Sequence, residues 1–230
     1  MPKSVGIVQS CYIPWKGYFD LINSVDEFIL FDDAQFTRHS WRNRNRIKTA
    51  SGPIWLTIPV VSSGRDFQKI REAVISDAAW NSKHWRSICH HHSRATYFSS
   101  YKERFESLYL GLDEKFLSQV NYRLITAVCD ILGIKTKLSW SMDYDLVDGK
   151  TERLVHLCKQ VSATEYVSGP TAKSYIDEKL FERERITLRY MDYSGYAEYN
   201  QCFPPFEHHV SIIDLIFNTG PHASKYMRSF

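Results

Sequence analysis

Val5-Gly6-Ile7-Val8-Gln9-Ser10-Cys11-Tyr12-Ile13-Pro14-Trp15-Lys16-Gly17-Tyr18-Phe19-Asp20-Leu21-Ile22 opens on four mostly apolar residues and closes on an apolar-periodic run. The opening suits a buried strand, and residues 18–24 suit a helix built on Phe19, Leu21 and Ile22. The loop between them carries a proline, a glycine and several aromatic rings. A strand that breaks into such a loop and re-enters as a helix puts the loop at the carboxyl edge of a sheet, where open α/β proteins bind ligands. Glu27-Phe28-Ile29-Leu30-Phe31 follows as a second strand and ends in Asp32-Asp33. After a basic stretch over 38–48, Gly52-Pro53 introduces Ile54-Trp55-Leu56-Thr57-Ile58-Pro59-Val60, which reads as a third strand. Strand, helix and strand at this spacing predict a βαβ unit with parallel pairing.

Over 80–132 the periodicity becomes helical. Leu117, Val120, Leu124, Ile125, Val128 and Ile131 recur at three- and four-residue steps, so one helix ends near Gly133. Further strands are expected over 135–141, 165–167 and 187–190. A helix over 151–161 takes Thr151 as N-cap, and a last apolar helix over 210–217 ends at Gly220. No internal repeat or low-complexity linker interrupts the chain. The expectation is a single α/β domain over 1–230, with a mostly parallel Rossmann-like sheet, flanking helices and a helical middle segment of about 80–133.

Apolar residues make up 43% of the 230 and charged residues 24%, ordinary for a globular protein with a full core. Aromatic residues reach 14%, a surplus that leans towards a stacked carbohydrate or nucleotide ligand. A net charge of +3 is too mild to mark a nucleic-acid binder by itself. The five cysteines are odd in number, widely spaced and without a CxxC pair, so reduced thiols and a cytoplasmic location are expected. The apolar run after Met1-Pro2-Lys3-Ser4 is too short for a signal peptide, and no stretch nears the roughly 20 apolar residues of a membrane span.

The opening loop offers Gln9, Tyr12, Trp15, Lys16 and Tyr18 as a ligand cradle, with rings to stack and polar groups to hydrogen-bond. Asp32-Asp33-Ala34-Gln35-Phe36 ends the second strand at the same edge, so one carboxylate can serve as general base or hold a polar group, unless the pair merely caps a turn. Arg38-His39-Ser40-Trp41-Arg42-Asn43-Arg44-Asn45-Arg46 places four arginines in nine residues. Guanidinium forks there suit a phosphorylated substrate, a sugar-nucleotide diphosphate or an RNA backbone, while a solvated basic loop fits equally. His90-His91-His92 point roughly 100° apart on a helix and cannot share one ion, so no metal site is expected. His84, between Trp80 and Trp85, is a catalytic candidate, although those indoles also suit a structural histidine. Ser168-Gly169-Pro170-Thr171-Ala172-Lys173-Ser174-Tyr175 follows a strand and can turn backbone N–H groups towards an anion. It has neither Walker A nor GxSxG spacing, and the chain has no GxGxxG.

Taken together, Gln9-x-x-Tyr12-Ile13-Pro14-Trp15-x-Gly17-Tyr18-Phe19, Asp32-Asp33-x-Gln35-Phe36 and Trp41-Arg42-Asn43-Arg44-Asn45 resemble the WbqC-like family of bacterial O-antigen and polysaccharide biosynthesis proteins. So do Trp55-Leu56-x-x-Pro59, Tyr166-x-Ser168-Gly169 with Tyr175, Tyr199-x-Gln201 and Ser211-Ile212-x-Asp214-Leu215-x-Phe217-Asn218-x-Gly220. Ser10 departs from the pattern, which has proline there. The resemblance implies a transferase that adds an aminoacyl group, glycyl, to the amine of a nucleotide-linked deoxyamino sugar in lipopolysaccharide synthesis. In that scheme Asp33 or Asp32 is the base, Arg42 and Arg44 contact phosphate, and Trp15 and Tyr18 stack the sugar or base. Ser168-Gly169 supplies anion donors, and Gln9, Tyr12, Gln35, Asn43, Tyr175 and Asp214 complete the substrate contacts. Two donors are open: an aminoacyl-tRNA, or ATP with free glycine. The second follows from the loop's position, which is similar to that of the HxGH loop of nucleotidyltransferases, here without its histidines. The alternatives are a non-catalytic nucleotide-sugar or glycan-binding protein and a nucleotidyltransferase-like ligase.

Overall fold

The computed structural model describes residues 2–230. In chain order the elements are β1 (Ser4–Val8), α1 (Lys16–Asn23), β2 (Glu27–Leu30), β3 (Arg44–Thr49), β4 (Gly52–Thr57), α2 (Trp80–His92) and α3 (Phe98–Leu110). They continue with α4 (Leu117–Leu132), β5 (Lys137–Trp140), α5 (Lys150–Gln160), β6 (Glu165–Ser168), α6 (Glu178–Arg183), β7 (Thr187–Tyr190) and α7 (Ile212–Thr219). The fold is mixed α/β. Five strands form one sheet in the order β5-β2-β1-β6-β7, and every pairing in it is parallel.

Side-chain alternation along the two central strands decides what covers each face. Val5, Ile7 and Ile29 pack with Leu154, Leu157 and Phe181, so α5 and α6 cover one side. Phe28 and Leu30 point the other way, into a larger core with Phe19, Leu124, Ile125 and Phe217 from α1, α4 and α7. Gly6 shares that second side, where a Cβ would stand 2.7 Å from Leu21 Cδ2 and 2.9 Å from Phe28 Cδ2. The missing side chain lets α1 lie close on the sheet.

Strand order also fixes where the chain reverses. From β1 it moves outward to β2 and then β5. It next crosses to the opposite side of β1 for β6 and β7. Right-handed crossovers require that a reversal of direction change the face the helices occupy. That is what α1 and α5 do. The switch point therefore lies between β1 and β6, at the loops that begin with Gln9 and Gly169.

The segment over 54–60 departs from the expected βαβ strand. β4 does not enter the sheet but pairs antiparallel with β3, Arg44 opposite Thr57 through Thr49 opposite Gly52, in a separate hairpin. Gly52, at φ +103°, makes the return possible. The basic stretch masks β3 because its outward positions are Arg44 and Arg46, while Asn45 and Ile47 face inward and are buried. The middle segment comprises three helices, the last ending at Gly133 in the left-handed conformation as expected. Thr151 does not cap α5, whose N-cap is Gly149; its hydroxyl accepts the Asp177 N–H at 3.0 Å instead. Among the described residues no helix is long and apolar enough to cross a membrane.

The close approach at Gly6 makes a direct test of the packing. Gly6→Ala is expected to lower stability by about 1–3 kcal/mol through overpacking against Leu21 and Phe28. Urea unfolding should show a lower midpoint at an unchanged slope.

Candidate functional site

A cavity of about 310 Å³ opens at the carboxyl end of β1, lined by Val8, Cys11, Pro14, Trp15, Tyr18, Trp41, Arg42, Asn45 and His209. Its walls come from the loop after β1, the start of α1, the approach to the hairpin and the segment before α7. Trp15 caps one side, edge-on to Tyr193 and Tyr196 and tilted against His209. Its indole folds back over Gly17, where a Cβ would stand 2.4 Å from the ring, so glycine at 17 is what seats Trp15.

The loop is held from the hairpin side. Asn45 is buried and donates through Nδ2 to the carbonyls of Tyr12 at 3.1 Å and Ile13 at 2.7 Å. The Tyr12 N–H donates to the Trp41 carbonyl at 3.0 Å. Ile13 sits at φ +34° although it is β-branched and fully buried. Such a conformation costs about 1–3 kcal/mol and persists only where surroundings impose it, a pattern typical of functional loops.

Arg42 crosses the floor. One terminal nitrogen donates to Gln9 Oε1 at 3.1 Å and the other lies 2.6 Å from Cys11 Sγ. Tyr18 donates its hydroxyl to the Gln9 carbonyl at 3.1 Å. Burial raises the Cys11 thiol above its ordinary value, an effect the Arg42 guanidinium partly offsets. Tyr175, half-exposed, stands close enough for the Arg42 charge to act on its phenol. The loop after β6 thus approaches Arg42 across the switch point. Gly169 is open there, a Cβ meeting only the Tyr193 hydroxyl at 4.0 Å. Ser168 is buried, and its Oγ accepts the Tyr166 hydroxyl at 3.2 Å.

The two adjacent aspartates have opposite surroundings. Asp32 is fully buried; Oδ1 accepts the Ser10 N–H at 2.9 Å and Oδ2 has no partner. Burial pushes its carboxyl up to about 6, against the Ser10 hydrogen bonds and the Arg42 charge. The Asp32 charge in turn raises the Cys11 thiol and the Tyr18 phenol, both of which line the cavity, while Asp32 itself is buried and does not line it. Asp33 points away from the floor. It binds Lys69 at 2.9 Å, Arg71 at 3.2 Å and the Ser141 hydroxyl at 3.0 Å. Burial pulls its carboxyl upward, but these partners outweigh it and hold it below the usual range.

Other candidates lie outside the cavity. Tyr12 and His84 belong to a buried cluster in which the Tyr12 hydroxyl is 2.8 Å from His84 Nδ1 and 3.0 Å from the Tyr109 hydroxyl. His84 Nε2 meets the Thr57 carbonyl at 3.2 Å, and burial pushes the imidazole down to about 4. Both ring nitrogens are engaged. Asp214 is buried against the hydroxyl of Tyr199 at 2.7 Å and the amide of Gln201 at 2.8 Å. Gln35 donates to the Asp66 carbonyl and Asn43 to the Ile58 carbonyl. Arg44 lies over the Trp55 ring at 4.0 Å on the solvent face of the hairpin.

Residues 9–226 match the WbqC-like protein family. The chain belongs to that family. A relative from Mycobacterium tuberculosis (strain ATCC 25618 / H37Rv), "Uncharacterized protein Rv1507c", is 51% identical over 226 residues, 98% of each chain. No solved structure matches the chain. In this WbqC-like protein, Pro14, Trp15, Tyr18, Trp41, Arg42 and Asn45, all within the motifs that carry the resemblance, line this cavity. Cys11 and His209 line it too, although sequence marks neither. Cys11 reads as one of five ordinary thiols, and His209 lies in an aperiodic stretch.

Two variants test this geometry. Asn45→Ala leaves two buried loop carbonyls without a donor and is expected to cost roughly 2–4 kcal/mol, read by chemical denaturation. For Asp32, a folded-state value near 6 against the ordinary 3.8 means the folded protein binds the extra proton in that window. Stability therefore falls as pH rises from 4 to 6, by an order-of-magnitude total of about 3 kcal/mol. Asp32→Asn keeps an acceptor for the Ser10 N–H and removes the charge. Its stability relative to wild type should climb by that amount between pH 4 and 7. A constant difference across that range would refute the assignment.

Proposed function

We propose that this WbqC-like protein is an aminoacyl transferase of bacterial surface-polysaccharide synthesis. It adds a glycyl group to the amine of a nucleotide-linked deoxyamino sugar. The observation that supports this reading is the cavity at the switch point, where Gln9 holds the Arg42 guanidinium, whose charge acts on a buried acid of raised proton affinity. Aromatic walls of Trp15 and Tyr18 suit the faces of a sugar or base. Arg42 supplies positive charge for a phosphate or for the oxyanion that forms when the amine attacks the acyl carbonyl.

Of the two aspartates, Asp32 is the better base. A group near 6 is ionised at neutral pH and still accepts a proton readily, whereas Asp33 is held as a carboxylate by two cations. In the step proposed, the amine nitrogen bonds to the acyl carbon and its proton is relayed to Asp32, which is buried and does not itself line the cavity. The bond from that carbon to the donor oxygen then breaks, and the proton goes to the departing oxygen.

Incubation with amino-sugar nucleotides, glycine, ATP and charged tRNA, followed by mass spectrometry, tests the reading. The expected product is the sugar nucleotide plus one glycyl residue, formed at a rate that rises as pH passes about 6. Asp32→Asn should lower turnover by roughly 10²–10⁴-fold with acceptor binding retained. Acceptor binding with no mass gain from either donor would instead favour the non-catalytic nucleotide-sugar-binding reading.

A further inference from the structure

The outer face of the hairpin carries the most unusual surface in the molecule. Trp41 and Trp55 are exposed to 44% and 42%, with ring centroids 5.1 Å apart. Solvent faces of antiparallel hairpins are ordinarily polar, so two half-exposed indoles in contact require a reason. Arginines alternate with them. Arg44 lies over the Trp55 ring at 4.0 Å, and Arg46 stands 5.9 Å from the Trp41 ring and 5.7 Å from the Trp55 ring. Arg46 has an acidic neighbour, Glu207 at 3.8 Å, but Arg44 has none among the described residues, and its Nε is buried without a partner.

The hairpin register explains the arrangement. Arg46 is directly opposite Trp55 and Arg44 is opposite Thr57, so these side chains share one face, while Asn45 and Leu56 are buried behind it. The platform is thus fixed by the strands that pin the opening loop. It is also continuous with the cavity, because Trp41 belongs to both.

We infer that this platform binds the unpaired 3′ end of an RNA, stacking its bases on Trp41 and Trp55 and pairing its phosphates with Arg44 and Arg46. The terminal nucleotide is thereby led to the cavity mouth at Trp41. Aromatic faces interleaved with guanidinium groups are the chemistry of single-strand recognition, since every base has a face to stack and every linkage a charge to meet. Two rings and two cations in a row exceed what one base and its phosphate cover, which favours a strand over a mononucleotide. The inference deepens the transferase reading by naming an RNA-borne donor, and it leaves the cavity itself to the acceptor.

Fluorescence anisotropy with a labelled single-stranded RNA dodecamer ending in CCA at its 3′ end tests it. Wild-type protein should bind, with affinity falling as salt rises. Trp55→Ala should weaken binding about tenfold or more, and Trp55→Phe should restore much of it. Arg44→Ala should flatten the dependence of log affinity on log salt by about one phosphate contact. All variants are checked for folding by circular dichroism. Absence of wild-type binding, or equal binding by Trp55→Ala, overturns the inference. So does binding of UDP-N-acetylglucosamine that depends on Trp55 and expels the RNA. Glycyl transfer from ATP and glycine without RNA binding would sink this inference alone, and RNA binding without glycyl transfer would sink only the transferase reading.

Discussion

Asn45 is the residue on which the site's geometry rests. A loop that leaves β1 at Gln9 must turn back into α1 within a few residues, and it does so through a buried isoleucine at positive φ. Two of its carbonyls would be orphaned in an apolar interior without the Asn45 amide. The same side chain accepts the Arg46 N–H at 2.7 Å through Oδ1, so it ties β3 to the loop with every polar atom engaged. Once that contact is made, Trp41 and Arg42 cannot be elsewhere than at the cavity. The hairpin is therefore the part that imposes strain on the loop and also completes its walls.

Adjacent carboxylates at a strand end show how strongly position outweighs residue type. Asp32 and Asp33 point to opposite sides of one backbone. One meets a single backbone donor in a dry interior, and its charged form is disfavoured. The other finds two cations and a hydroxyl near the surface, and its charged form is favoured. One sequence motif thus holds a raised acid and a depressed acid side by side.

The strand and helix alternation of the sheet was legible in the sequence, because buried parallel strands read as short apolar runs and their helices keep a 3.6-residue period. β3 was not, since its outward residues are arginines and its inward ones include an asparagine, which together resemble a solvated loop. Missing β3 made β4 look like a third sheet strand. The candidate site was legible where local, in Trp15, Tyr18 and Arg42. It failed where partners are distant in the chain, as with His209 on one wall. It failed also where a residue's role depends on what buries it. Tyr12 and His84 carry suitable groups, yet each spends them on the other and on Tyr109 or Thr57.

Sheet topology explains why all these pieces converge. Strand order reverses between β1 and β6, so their loops diverge and leave a crevice. In an unadorned doubly wound sheet that crevice is open to water. Here the long connection from β2 to β5 inserts the hairpin and three helices on one face and brings Trp41 and Arg42 over the β1 end. The crevice becomes a walled cavity whose lining carries the Arg42 guanidinium. Low dielectric around that group strengthens its pull on any negative charge that enters or develops there, and it is the same exclusion of water that raises Asp32. The attraction for an anion and the basicity of the carboxylate thus have one origin, the insertion that encloses the loop.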